Sequence, residues 1–125
     1  MAVIAESLNL ADLLKYEEEH LHYSRQDVTV AAGQHLGLGT VVGRHATDEK
    51  IYALNPAATD GTQVALGVLL APVVATLADM PGLLVVRHAI LAAPAVVWPA
   101  DITPAQKATA LQHLEARGLL VYPGA

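Results

Sequence analysis

The chain alternates between short apolar runs and glycine- or proline-marked breaks from residue 28 onward. Before that point it is polar and acidic. DVTVAAG alternates with period two and stops at Gly33, which predicts a strand. LGLGTVVGRH predicts a glycine-rich turn leading into a Val-Val strand closed by Gly43. HATDEK reads as a polar turn and IYAL as another short strand. NPAATDG carries two turn signals in succession, Asn-Pro and Asp-Gly. VALGVLL predicts a buried strand whose glycine allows a neighbour to come close. Asp79-Met80-Pro81-Gly82 predicts a turn, LLVVRHAIL one long apolar strand, and PAVVWP a short one closed by proline.

One helix is signalled clearly. Thr103 suits the N-cap, Pro104 the first helical position, and Gln106 stands three residues after the cap. Together they form a capping box with a proline start. Ala108, Leu111 and Leu114 predict the apolar stripe, Arg117 suits the helix C-terminus, and Gly118 ends it. LLVY predicts a final strand. The fold class expected is α+β, mostly short β-strands with one C-terminal helix.

Residues 1–27 have a different texture. LNLADLLKYEEEHLHYSR shows partial helical spacing at Leu10, Leu14, Glu17 and Leu21. Six of the chain's 12 carboxylates fall at or before Asp27. With so little apolar content, residues 1–27 are expected to form a loosely held, extended N-terminal arm, and residues 28–125 the folded domain.

Composition narrows the function. The 125 residues are 54% hydrophobic and 15% charged, with no Phe and no Cys. Such a chain makes one domain with a core of small aliphatic contacts, and its charge-poor surface points to a partner. A net charge of −5 without a Lys/Arg cluster argues against direct nucleic-acid binding. The absence of cysteine excludes thiolate chemistry. The N-terminus lacks the basic region of a secretory signal. The longest uncharged run, Gly61 to Ala78, is interrupted by Gly67 and Pro72, so no membrane span is expected.

Candidate chemistry is sparse. TDGTQVALG has no Lys and leads into a strand, so it lacks the helix N-terminus of a phosphate loop. His20 and His22 near Glu17–Glu19 have metal-ligand chemistry, but a solvated polar segment accounts for them better. Ser7 and Ser24 are the only serines, and Ser24 has no nucleophile-elbow glycines around it. No catalytic, cofactor or metal residues are assigned. One binding-module alternative is a barrel-sandwich carrier domain, similar to lipoyl or biotinyl domains in AAGQHLGLGTVVGRH, with Lys50 as the candidate attachment point.

A more extensive resemblance runs from about Asp12 to Tyr122. DLLKYEEE, YSRQDVTVAAGQ, GTVVGR, PAATDGTQVALGVLL and VVWPADITPAQKATALQHLEARGLLV, in that order, resemble the head decoration proteins of lambda-type phages. The resemblance implies a β-tulip-like decoration fold and a non-enzymatic protein without cofactors. It implies homotrimers on the exterior of the expanded capsid, made in the host cytoplasm, and a major capsid protein as partner. It also implies an N-terminal arm that attaches to the capsid by strand-like pairing. Tyr23, Ser24, Arg25, Gln26, Asp27, Val28, Thr29 and Val30 are the expected capsid-binding residues, because that segment alternates and precedes the body.

Overall fold

The computed structural model describes residues 9–123, apart from the side chains of residues 21 and 22. It is an α+β molecule, mostly short strands in sheets with one main helix near the C-terminus. Five strands close a barrel in the order β2-β5-β4-β6-β8: β2 (Arg25–Val30), β4 (Val41–Arg44), β5 (Ile51–Ala53), β6 (Gly67–Leu69) and β8 (Met80–Val85). A three-stranded sheet has the order β1-β9-β10, from Leu14–Glu17, Ala89–Ala92 and Leu119–Tyr122. β3 (Gln34–Leu36) and β7 (Val73–Ala75) form a separate antiparallel pair. Two four-residue helices, α1 (Leu10–Leu13) and α2 (Leu21–Ser24), precede the barrel.

The predicted helix is α3 (Pro104–Ala116). The Thr103 hydroxyl accepts from the Gln106 amide, and the Gln106 side chain accepts from the Thr103 amide. Gly118 follows at φ +81. The buried stripe is rotated from the expected one. Ala110 and Leu114 are buried, Leu111 is half-buried and Ala108 is exposed. The nearby barrel loop sets this phase, since the Ala65 amide donates to His113 Nδ1 on the same side of the helix.

Two apolar clusters hold the molecule together. One lies between α3, the three-stranded sheet and the barrel wall, with Leu13, Val41, Leu91, Leu114 and Leu119 at its centre. Trp98 packs at its margin, with the Lys107 ammonium 5.5 Å from the ring centroid. The other fills the barrel with Val30, Val42, Ile51, Leu69 and Leu84. Burying many such side chains, at about 1.5–3 kcal/mol each, is the main favourable term here.

Three local predictions are corrected by tertiary pairing. Met80-Pro81-Gly82 is strand, not turn: Thr29 faces Pro81 and Val28 faces Gly82 in the β2–β8 ladder. This end of β8 is β-paired on one side only, where strands tolerate proline. A Cβ on Gly82 would stand 2.8 Å from Val30 Cγ2, so the β2 valines close over the space the glycine leaves. LLVVRHAIL is broken, because β8 ends at Val85 and β9 begins at Ala89. His88 turns the chain with φ 54. PAVVWP is a single 3₁₀ turn at Ala93–Ala95, followed by one bridge between Thr40 and Val97.

The segment before the barrel has defined structure where it is described. Residues 1–8 lie outside the described residues; within residues 9–27, α1, β1 and the start of β2 make contacts with the body. Asn9 and Asp12 form a reciprocal capping box at the start of α1. Leu13 is fully buried, β1 pairs with β9, and β2 already belongs to the barrel at Arg25. Four leucines in the first 14 residues supply too little surface for an independent core. Leu13 instead finds its core in the body, and the acidic run finds a cation in Arg25.

Candidate functional site

The residues expected to contact a capsid fall on two elements. Tyr23 and Ser24 close α2, and Arg25, Gln26, Asp27, Val28, Thr29 and Val30 are the whole of β2. Asp27 and Thr29 are exposed and Val30 is fully buried, so the alternation in DVTVAAG places one side chain in the barrel and the next in solvent.

An ion pair anchors the near end of this segment. Arg25 Nε donates to Glu17 Oε2 at 2.7 Å, and Nη2 to Oε1 at 2.8 Å. The Ser24 hydroxyl donates to the same carboxylate at 2.8 Å, and Ser24 is fully buried. Hydrogen bonding from Arg25 holds the Glu17 carboxyl below its ordinary value against the opposing effect of burial, and it raises the Arg25 pKa in turn. Tyr23 is fixed beside it. Its hydroxyl lies 3.2 Å from His88 Nε2, its ring meets the His88 ring edge-on at 4.8 Å, and Arg87 stacks 5.1 Å above it. Arg87 Nη1 also donates to the Tyr23 carbonyl.

The two edges of β2 differ. All six residues pair with β8 in antiparallel register. On the other edge, among the described residues, the one β-pair is Val30 with Ile51 of β5. The edge from Arg25 to Thr29 thus carries backbone groups without a strand partner, beside a depression of about 580 Å³ reaching to Asp48–Lys50 in the β4–β5 turn. An unpaired strand edge accepts an extended segment through main-chain hydrogen bonds.

The Asp-Gly loop performs a structural task. Asp60 Oδ1 accepts from the Thr62 amide at 3.0 Å and the Thr62 hydroxyl at 2.6 Å, and these bonds lower the Asp60 pKa. Gly61 adopts φ +107, where a Cβ would stand 2.5 Å from the Arg44 carbonyl oxygen. Only glycine fits that turn, and no helix N-terminus follows. Lys50, the candidate attachment point of a carrier domain, is engaged in an ion pair with Asp79 at 2.7 Å. Among the described residues no three His, Asp or Glu side chains are placed to hold a metal ion, and no helix is long and apolar enough to cross a membrane.

Comparison with known families decides the assignment. The family described as bacteriophage lambda head decoration protein D matches residues 3–119. The chain belongs to that family. No curated protein matches it significantly. Head decoration proteins are structural components of the phage capsid and not an enzyme class, so the chain is a capsid decoration protein of the virion. The family match spans both the N-terminal segment and the barrel.

The Glu17–Arg25 fork and the Asn9 cap were not singled out in the sequence. Asn9 and Asp12 carry a visible capping signal, three residues apart. Glu17 and Arg25 are eight residues apart and meet because the chain loops out through α2 between them, Glu17 pairing with Ala89 of β9 and Arg25 with Val85 of β8.

Proposed function

We propose that this decoration protein binds the outside of the expanded phage head as trimers at local threefold positions, and that it stiffens the shell against the pressure of packaged DNA. What carries the proposal is the family match over residues 3–119. The capsid contact is assigned to the N-terminal segment, residues 1–27, continuing through Val30. The open edge of β2 supports it, since Arg25–Thr29 can take a strand from the major capsid protein without any change in the barrel.

The energetics follow from linkage. A protein that binds the expanded lattice and not its ruptured form adds its binding free energy to the stability of the shell. A trimer engages several capsid subunits together, so individually weak strand pairings add through multivalency. Synthesis in the host cytoplasm, followed by attachment after expansion, completes the proposal. No direct contact with nucleic acid is part of it.

The test is to mix purified protein with expanded, undecorated capsids and image the particles. Density should appear on the outer surface at local threefold positions, and native mass measurement should find three subunits per assembly, free or on the particle. Particles without added density would refute the attachment. A strict monomer in both states would refute the trimer.

A further inference from the structure

We propose that Arg44, at the mouth of the barrel, receives an aspartate or glutamate carboxylate carried by the extended capsid segment that lies along β2. The inference rests on the decoration role proposed above and adds the chemistry of the contact.

Arg44 is the last residue of β4 and stands opposite Ile51 in the ladder, on the same face as Val42. Val42 and Ile51 are fully buried in the barrel core. The Arg44 stem therefore enters at the end of that core. Its Nε is buried and has no hydrogen-bond partner, and among the described residues Arg44 makes no ion pair. A desolvated donor without an acceptor is costly, so it marks a place where an added acceptor is favourable.

Two surface depressions meet at this side chain. One, of about 450 Å³, also takes in Arg117 from the end of α3, together with His45 and Glu49. The other runs beside the open edge of β2, past Gln26–Thr29. A peptide strand paired with that edge would thus have Arg44 within the groove it occupies. Lys50 lines the same groove, but its ammonium is already bound to Asp79.

The surroundings select the ligand. Asp48 and Glu49 line the β2 groove with Arg44, and the chain carries a net charge of −5. Every anion meets repulsion there, and a phosphate dianion or a nucleic-acid backbone, with more charge, meets more of it than a single carboxylate. A single carboxylate carries one charge, matches the planar guanidinium fork, and can be delivered on a strand that also satisfies the β2 backbone.

Two measurements test this. First, the Arg44 Nε–H resonance is followed during titration with acetyl-Val-Glu-Val-amide, acetyl-Val-Gln-Val-amide and inorganic phosphate. The glutamate peptide should shift it, and the glutamine peptide and phosphate should not. No glutamate-dependent shift, or a larger shift with phosphate, would overturn the assignment. Second, Arg44→Met and Arg44→Lys are compared with wild type for affinity to expanded capsids. Arg44→Met should keep or raise the melting temperature, since it removes an unsatisfied buried donor. It should weaken capsid binding by about tenfold or more, the scale of one lost charged hydrogen bond. Arg44→Lys should restore little, because the fork is lost. If wild type and Arg44→Met bind equally, Arg44 is not the receptor, while the decoration role stands. If wild type does not bind capsids at all, the decoration proposal falls and the peptide titration decides the Arg44 site by itself.

Discussion

Arg25 grips Glu17 with two parallel hydrogen bonds of 2.7 and 2.8 Å, tying the first residue of a barrel strand to the last residue of a strand in a different sheet. The side chains are 23% and 10% exposed, so the pair is largely shielded from water. This contact fastens the N-terminal segment to the body at the start of β2.

The pair predicts an acid-sensitive body. Glu17 has a folded-state pKa below its unfolded one, so its contribution is present above the unfolded value and is lost as pH falls through the folded one. Melting temperature should decline below about pH 4.5, the ordinary carboxyl value, and Glu17→Gln should flatten part of that decline. At neutral pH Glu17→Gln should cost about 1–3 kcal/mol, as for a hydrogen bond to a charged group. A pH profile of melting identical in wild type and Glu17→Gln would refute the role.

Leu13 should behave as a core residue although it precedes the barrel. Leu13→Ala should destabilise by about 2–5 kcal/mol, because a fully buried leucine leaves a cavity. Deleting residues 2–24 should likewise lower the melting midpoint, since it removes Leu13, β1 and the Glu17 carboxylate together. Chemical denaturation of the two variants checks both; a neutral Leu13→Ala would show that α1 is not docked in solution.

The helix gives a graded prediction. Thr103→Ala should cost about 1 kcal/mol through loss of the cap. Leu114→Ala should cost about 2–5 kcal/mol, whereas Leu111→Ala, at a half-buried position, should cost clearly less. Thermal melts that rank Leu111 above Leu114 would place the helix in the other phase.

The open edge of β2 predicts a separation of binding from folding. Asp27 and Thr29 project into solvent. The double variant Asp27→Lys, Thr29→Lys should change stability by no more than about 0.5 kcal/mol, as exposed substitutions do. It should nevertheless lower occupancy on expanded capsids, measured by co-sedimentation. Undiminished occupancy would move the contact elsewhere.

What the sequence determined by itself is local or additive. Thr103, Pro104, Gln106 and Gly118 bounded the C-terminal helix because caps act within one turn of chain. The period-two pattern of DVTVAAG marked the second half of β2, which ends at Val30 and not at Gly33, and the lack of Phe and Cys restricted the core to small aliphatic packing. The order of motifs from DLLKYEEE to the final LLVY pointed to the decoration family. Tertiary structure decided the rest. Pro81 and Gly82 carry turn signals, but pairing with Thr29 and Val28 makes them strand. His88 divides an apolar run that looks continuous, because its two halves belong to different sheets. The segment before Val28 looks too polar to fold, yet Leu13 is buried in a core whose other members lie mostly at residues 41–119. Arg44, one charge at the end of a valine strand, became a candidate receptor only when the barrel enclosed its Nε. Caps and periodicity act between neighbours in sequence. Strand partners, burial and ion pairs join residues far apart along the chain, and the fold alone brings those together.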